Sequence, residues 1–144
     1  MSWIAKKGER KMYLANLDEQ KKRIFLDIAH ELVQVDGEFS YDEKVIIQAY
    51  CQEMNIVDYE YHKRSRDEIV GDIKKYLTQE DVKIILFELI GLCLADGNYD
   101  KSEKEFINNL CSELNVENVY SDKCEEYVRD YLKLQLKINE LVIG

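Results

Sequence analysis

Two acidic turns, sixty residues apart, contain the side chains of this chain that are best suited to bind a ligand. The first turn has Asp36 and Glu43, the second has Asp96 and Glu103, and each aspartate stands directly before a glycine. Carboxylate oxygens are the ligands that hard divalent cations take in proteins. The spacing therefore predicts a site for calcium or another divalent cation, formed by these four carboxylates.

Each turn looks like the second half of an EF-hand loop. A glycine, an apolar residue two positions on and a glutamate stand where that loop has its sharp turn, its apolar residue and its bidentate ligand. The first half is missing, because other residue types occupy the places of the first carboxylates: Leu32, Gln34, Leu92 and Leu94. Calcium needs about six to eight oxygens. An ordinary EF-hand is therefore excluded. A calcium site would need carboxylates from both turns around one ion, with Glu38 and Asp100 as possible additional ligands.

Helix capping explains much of the same pattern without a ligand. Gly37 suits the left-handed position after a helix end, and Ser40 with Glu43 forms a capping box for the next helix. Asp36 and Asp96 fit this explanation less well, because a carboxylate in the last turn opposes the helix dipole at a cost of about 0.3–1 kcal/mol. An N–H group across the turn, a nearby lysine or a cation could offset that cost, and the sequence leaves these alternatives open.

The two turns belong to a duplicated segment. Between residues 24–56 and 84–116, 11 of 33 aligned positions are identical. The match resumes after a deletion of two residues, where Glu68 corresponds to Glu126. A duplication of this kind predicts two pseudo-symmetric halves, each with a helix, an acidic turn, a second helix, a loop and a third helix.

Apolar residues recur with helical spacing throughout the chain, and no segment shows a convincing strand pattern. We predict an all-α, single-domain protein of about six to eight helices, with one repeat over about 16–77 and the other over about 78–142. A short apolar segment, residues 57–62, is predicted as a loop or short helix. The predicted capping residues are Asn16, Ser40, Ser65, Thr78, Asp100 and Ser121. The predicted helix stops are Gly37, Asn55, Gly97 and Asn115.

The charge and composition exclude several classes of function. The formal net charge is −9 over 144 residues, which opposes binding to nucleic acid or to anionic lipid. The chain has no glycine-rich phosphate loop, no nucleophile–histidine signature and only two histidines, so we expect no enzyme. The four cysteines lack metal-ligand spacing and are interpreted as small, reduced thiols. We expect a cytoplasmic protein.

The acidic motif resembles that of the TerB-like family, which is named for bacterial tellurite-resistance proteins. In that family an apolar helix runs into Ala-Asp-Gly, an apolar residue follows, and a glutamate opens the next helix. Residues 92–99 with Glu103 are close to this pattern, whereas the first repeat has Val35 in place of the alanine. The resemblance covers about residues 16–142. It implies an all-helical fold, a cytoplasmic setting and a link to metal or stress response.

A metal-free adaptor that binds another protein is the alternative function. The second half of the chain has a net charge of −7, against −2 for the first 75 residues, and the whole chain has ten tyrosines. The acidic second half and the residues Tyr120, Tyr127 and Tyr131 form the predicted partner surface, because tyrosine suits a boundary between apolar and wet surroundings. The sequence does not indicate an oligomeric state.

Overall fold

The computed structural model of this chain describes Leu14, residues 17–35, residues 41–95 apart from the side chain of Asp42, and residues 99–144. The described residues form six α-helices and no strand. The helices are α1 (Glu19–Val33), α2 (Tyr41–Glu53), α3 (Arg66–Tyr76), α4 (Gln79–Ala95), α5 (Lys101–Glu113) and α6 (Asn118–Ile143). The all-α prediction is confirmed.

One hydrophobic core is shared by all six helices. α1 packs on α2 and α3, while α4 packs on α5 and most extensively on α6. Almost all residues of α4 from Ile85 to Leu94 are buried, so this helix is covered on nearly every side. A helix in that position has to be apolar around most of its circumference. The helices therefore form a single domain, as the sequence predicted.

Three predicted capping boxes are present in the structure. In the box before α3, the Ser65 hydroxyl accepts from the Glu68 N–H and the Glu68 carboxylate accepts from the Ser65 N–H. Before α4, the Thr78 N–H donates to Asp81 Oδ2 at 3.0 Å and the Asp81 N–H donates to Thr78 Oγ1 at 3.1 Å. The third box opens α5 and is described with the candidate site. Ser40, Gly37 and Gly97 lie outside the described residues.

Two predicted helix starts are corrected by the structure. α1 is capped by Asp18, whose Oδ1 accepts from the Lys21 N–H at 2.9 Å, whereas the predicted cap Asn16 lies outside the described residues. α6 begins at Asn118 and not at Ser121. Ser121 is buried, and its hydroxyl donates to the Asn118 carbonyl oxygen at 2.9 Å. Ser121 is the fourth residue of α6 and so lies inside the helix, where its hydroxyl bonds back to the first turn.

The predicted stops after α2 and α5 are confirmed and have the same geometry. Asn55 and Asn115 both have φ of 59°, in the left-handed region. The N–H of Ile56 donates to the Cys51 carbonyl oxygen at 2.8 Å, and the equivalent bond after α5 is also 2.8 Å long. These are the bonds of the Schellman motif, in which asparagine is tolerated in the left-handed position because its short side chain bonds locally.

Substituting Asn55 or Asn115 by valine is expected to lower the free energy of unfolding by about 1–2 kcal/mol at either site, because a β-branched residue is strained at positive φ. Glycine at the same sites is the matched control and should leave stability unchanged or slightly higher. Urea denaturation followed by circular dichroism measures both. Equal stability of the valine and glycine variants would contradict the assigned turn geometry.

Contacts between the two halves are polar as well as apolar. Lys21 Nζ in α1 lies 2.7 Å from Asp81 Oδ2 in α4, and Arg66 Nε in α3 lies 2.9 Å from Glu113 Oε1 in α5. Lys21 and Asp81 are themselves sixty residues apart. A residue close to a twofold axis contacts its own repeat mate, so this pair is consistent with the predicted symmetry. The twofold arrangement itself stays a prediction.

Candidate functional site

The structure describes two of the four predicted cation ligands, Glu43 and Glu103, whereas Asp36 and Asp96 lie outside the described residues. Glu103 belongs to the capping box of α5. Its Oε1 accepts from the Asp100 N–H at 3.1 Å, and Asp100 Oδ1 accepts from the Glu103 N–H at 2.9 Å. One carboxylate oxygen of each residue is thus already bonded to backbone, which is the role that helix capping predicts.

Glu43 lies half-buried in the first turn of α2, and its charge acts on His30 in α1. Within residues 17–35, 41–95 and 99–144, no group of three or more histidine, cysteine, aspartate or glutamate side chains is placed to hold a metal ion. Because both aspartates lie outside these ranges, the shared cation site stays a prediction. Glu38, the other predicted outer contributor, also lies outside them.

The segment between α2 and α3 contains a polar network that the sequence did not reveal. Residues 57–62 were predicted as a loop or a short helix, and the structure shows a loop. Tyr59 donates to Asp27 Oδ1 at 2.8 Å, and Arg64 bridges Asp27 Oδ2 at 2.7 Å and the Asp72 carboxylate. Burial and the bond to Asp27 raise the pKa of Tyr59 above its ordinary value. Asp27 therefore holds the segment against α1 with two donors.

His30 is the buried titratable member of the same region. Its ring stacks on Tyr61, with 3.8 Å between ring centroids and 4° between planes, and Tyr61 donates to the Glu31 carboxylate. Burial lowers the pKa of His30 and outweighs the opposing effects of Glu31, Asp27 and Glu43. The imidazole is therefore packed as a neutral aromatic ring.

Lowering the pH from about 7.5 to about 5.5, across the ordinary histidine value of 6.5, is expected to destabilise the protein through His30. Because the pKa of His30 is lowered in the folded state, the unfolded chain binds the proton more readily in this window, and the free energy of unfolding falls by at most about 1.4 kcal/mol per pH unit. His30→Phe keeps the stack and should flatten this dependence. His62→Gln, at a histidine side chain that is 77% exposed, is the matched control and should keep it. Urea denaturation at both pH values measures the slope, and an unchanged slope in His30→Phe would contradict the assignment.

A cleft of about 120 Å³ lies between α1, α3 and α5. Its floor is apolar and its rim is mainly cationic, with these lining residues: Ile28, Glu31, Lys63, Arg64, Arg66, Ile69, Val70, Phe106 and Leu110. Arg64 is already paired with two carboxylates, and Arg66 pairs with Glu113 and lies over the Phe106 ring at 5.1 Å. These arginines hold helices together, so the cleft is not the strongest candidate site.

Eight of the thirteen large apolar side chains that are exposed in the described part of the chain lie on α6. We name as the α6 stripe the five residues Tyr127, Tyr131, Leu134, Ile138 and Leu141, whose spacing alternates between four and three. This spacing puts them on one face of a helix, as in the seam of a coiled coil. Tyr131 is half-buried, and the other four side chains are 50–84% exposed. A groove of about 290 Å³ runs along the stripe at Tyr131, Leu134 and Ile138.

The exposed part of α6 is an extension beyond the duplicated unit. Because Glu68 matches Glu126, Tyr76 at the end of α3 matches Leu134, and residues 135–143 of α6 have no helical counterpart in α3. From residue 133 onward every residue except Gln135 is exposed. Packing of the six helices therefore does not account for the apolar residues of this extension.

Two of the three tyrosines that the sequence assigned to a partner surface, Tyr127 and Tyr131, lie on the α6 stripe. Tyr120 is half-buried instead, and its hydroxyl donates to the Lys83 carbonyl oxygen at 2.7 Å. The sequence analysis missed Leu134 and Leu141. Their signal was the continuation of the four-and-three spacing past the end of the repeat.

The fold and this surface define an all-helical protein in which the end of α6 exposes apolar side chains. Comparisons with protein-family models, with curated proteins and with solved structures found no match in any of the three. The resemblance to the TerB-like family therefore stays a hypothesis that depends on the acidic motif alone. Among the described helices, none is both long and apolar enough to cross a membrane.

Proposed function

We propose that this chain is a helical, cytoplasmic protein-interaction module that docks an amphipathic helix of a protein partner along the α6 stripe. The observation that supports it is the 50–84% exposure of Tyr127, Leu134, Ile138 and Leu141 on one helix face. An exposed patch of this kind on a folded domain typically marks an interaction site. The alternating spacing of four and three residues suits a helical partner, because the side chains of one helix then fit into the spaces between side chains of the other.

Energetics indicate a weak, reversible contact. Burying a leucine or isoleucine side chain fully is worth about 1.5–3 kcal/mol, and three such residues lie on the α6 stripe. Association costs about 4–15 kcal/mol in lost rigid-body freedom. The aliphatic residues alone therefore barely offset this cost, and the loss of two of them should abolish binding.

The charges on α6 favour a protein over a membrane surface. The charged residues beside and opposite the exposed end of the stripe are Asp130, Lys133, Lys137 and Glu140, which sum to zero charge, and the exposed Leu136 also lies opposite it. Membrane-surface helices instead concentrate lysine and arginine on their polar face. The proposed cytoplasmic setting is supported by the four cysteines, none of which is in a disulfide and of which Cys93, Cys111 and Cys124 are buried.

Site-specific photo-cross-linking in cells tests the proposed function. Ile138→benzoylphenylalanine places the probe on the α6 stripe, and Glu140→benzoylphenylalanine places it about 200° away on the same helix. We expect a discrete adduct from position 138 that disappears when Leu134→Asp is added, and no adduct from position 140. Absence of an adduct at 138, or equal adducts from both positions, would refute the proposal.

The cation-binding function is a second candidate, supported by the duplicated Asp-Gly turns with their equally spaced glutamates. The TerB-like resemblance places it in a metal or stress response. If Asp36 and Asp96 share an ion, calcium at about 5 mM should raise the melting temperature by mass action. Asp36→Asn with Asp96→Asn should remove that increase. An unchanged melting temperature in the unsubstituted protein would exclude this function at millimolar calcium.

A further inference from the structure

We infer that the helix docked on the α6 stripe is the α6 of a second copy of this chain, lying antiparallel to the first. The inference rests on the proposed function and names its partner. It comes from the arrangement of apolar and charged residues along α6, which is complementary to itself when one copy is reversed.

The apolar residues set the register. Along the stripe, the next stripe residue follows Tyr131 and Ile138 after three positions, but it follows Tyr127 and Leu134 after four. In an antiparallel pair of helices, a residue of the first kind on one helix faces a residue of the second kind on the other. Tyr131 of one copy then faces Leu134 of the other, and Ile138 faces Tyr127. Twofold symmetry repeats both contacts, so four layers form from four positions in each copy. Each layer joins one aliphatic and one aromatic side chain.

The charges beside the α6 stripe fit the same register. Asp130 and Lys137 directly precede Tyr131 and Ile138 and flank the stripe on the side away from the core. In the antiparallel register Asp130 lies across from Lys137 of the second copy, and symmetry forms the pair twice. Both side chains are exposed, and the ion pairs within the described part of α6 involve other residues: Lys123, Glu125, Glu126 and Arg129.

A parallel pairing lacks this complementarity. It would place Asp130 opposite Gln135 and Lys137 opposite Val142 of the second copy, which are not charged. The antiparallel contact cannot extend toward the start of α6, because Cys124 is buried in the core of its own copy. The interface is therefore small, and we expect a dissociation constant of roughly 1–100 µM, as for other weak contacts.

Sedimentation equilibrium of the purified chain tests the inference. The unsubstituted protein should dimerise in this range. Asp130→Lys and Lys137→Glu each replace two attractive pairs by two repulsive ones and should each weaken dimerisation by about tenfold. The double variant Asp130→Lys/Lys137→Glu restores both pairs and should recover the original constant within about threefold. An equimolar mixture of the two single variants should form a heterodimer for the same reason.

Two further measurements separate the possible results. Circular dichroism should show unchanged helix content in every variant, since both positions are exposed, and Leu134→Asp/Ile138→Asp should be monomeric. A monomeric unsubstituted chain, or equal dimerisation of all charge variants, would overturn the antiparallel dimer. If the chain is monomeric while position 138 still cross-links a protein of different mass, the second copy is the wrong partner and the proposed function stands.

Discussion

Phe25→Ala is expected to lower the free energy of unfolding by about 3–5 kcal/mol, the largest effect of any substitution considered. Phe25 in α1 is fully buried, and its ring meets Tyr50 of α2 edge-to-face, with 5.1 Å between centroids and 76° between planes. Alanine removes this aromatic contact and leaves a cavity between two helices that the close-packed core fills only partly. Urea denaturation followed by circular dichroism measures the loss.

Phe25→Leu is the matched control for the cavity. It keeps a large apolar side chain at the site and should cost less than about 1.5 kcal/mol. A loss below about 1 kcal/mol in Phe25→Ala, close to the average for any substitution, would show that the ring does not occupy the core position described here. The same transition monitored by two probes establishes that the unfolding is two-state.

Tyr50→Phe is expected to lower the free energy of unfolding by about 1–3 kcal/mol, because it removes a donor from a buried carboxylate. The Tyr50 hydroxyl donates to Glu88 Oε2 at 3.0 Å, and both side chains are at most 1% exposed. Burial and the adjacent Glu88 raise the pKa of Tyr50 well above 10, so the hydroxyl stays a donor. Thermal and urea denaturation at neutral pH measure the loss.

Tyr41→Phe is the matched control, since Tyr41 stands on the same helix and is 78% exposed. It should change stability by less than about 0.5 kcal/mol. Glu88→Leu removes the acceptor of this hydroxyl, and a double-mutant cycle with Tyr50→Phe therefore isolates the coupling between the two side chains. A coupling energy of zero would contradict the hydrogen bond between α2 and α4.

The Tyr50–Glu88 contact also shows how the two repeats diverge. In the duplication Tyr50 matches Leu110, and Glu88 matches Ile28. The matched apolar residues Ile28 and Leu110 both line the cleft between α1, α3 and α5. Equivalent positions of the two repeats are therefore occupied by the hydrogen-bonded pair Tyr50 and Glu88 in one case and by two apolar residues that line the cleft in the other. Helical periodicity indicates which positions face inward, but it does not indicate that a glutamate will be among them.

Local features of the fold were predictable because their partners lie within a few residues. The capping boxes at Ser65, Thr78 and Asp100 use hydrogen bonds between residues three apart. The stops at Asn55 and Asn115 depend on a single backbone conformation. The start of α6 was missed because Ser121, which looks like a cap in sequence, is buried and bonds back to its own helix.

The candidate site was predictable only in part. Tyr127 and Tyr131 could be assigned to a partner surface from residue type. The exposure of Leu134 and Leu141 could not, because their spacing is equally that of a core-facing helix. Each acidic turn could be recognised from the sequence because it is a local pattern. Whether the carboxylates of the two turns meet around one ion depends on how distant segments of the chain pack.

The amino-acid sequence by itself determined the helices and most of the described caps and stops, because each depends on hydrogen bonds or periodicity within a few turns of chain. It also showed the duplication, through the identities between residues 24–56 and 84–116. Only the tertiary structure decided which apolar faces are covered. It buries α4 on almost every side and leaves the far end of α6 exposed. The physical reason is that burial is a property of the neighbouring elements, and no residue specifies by its own type what will pack against it.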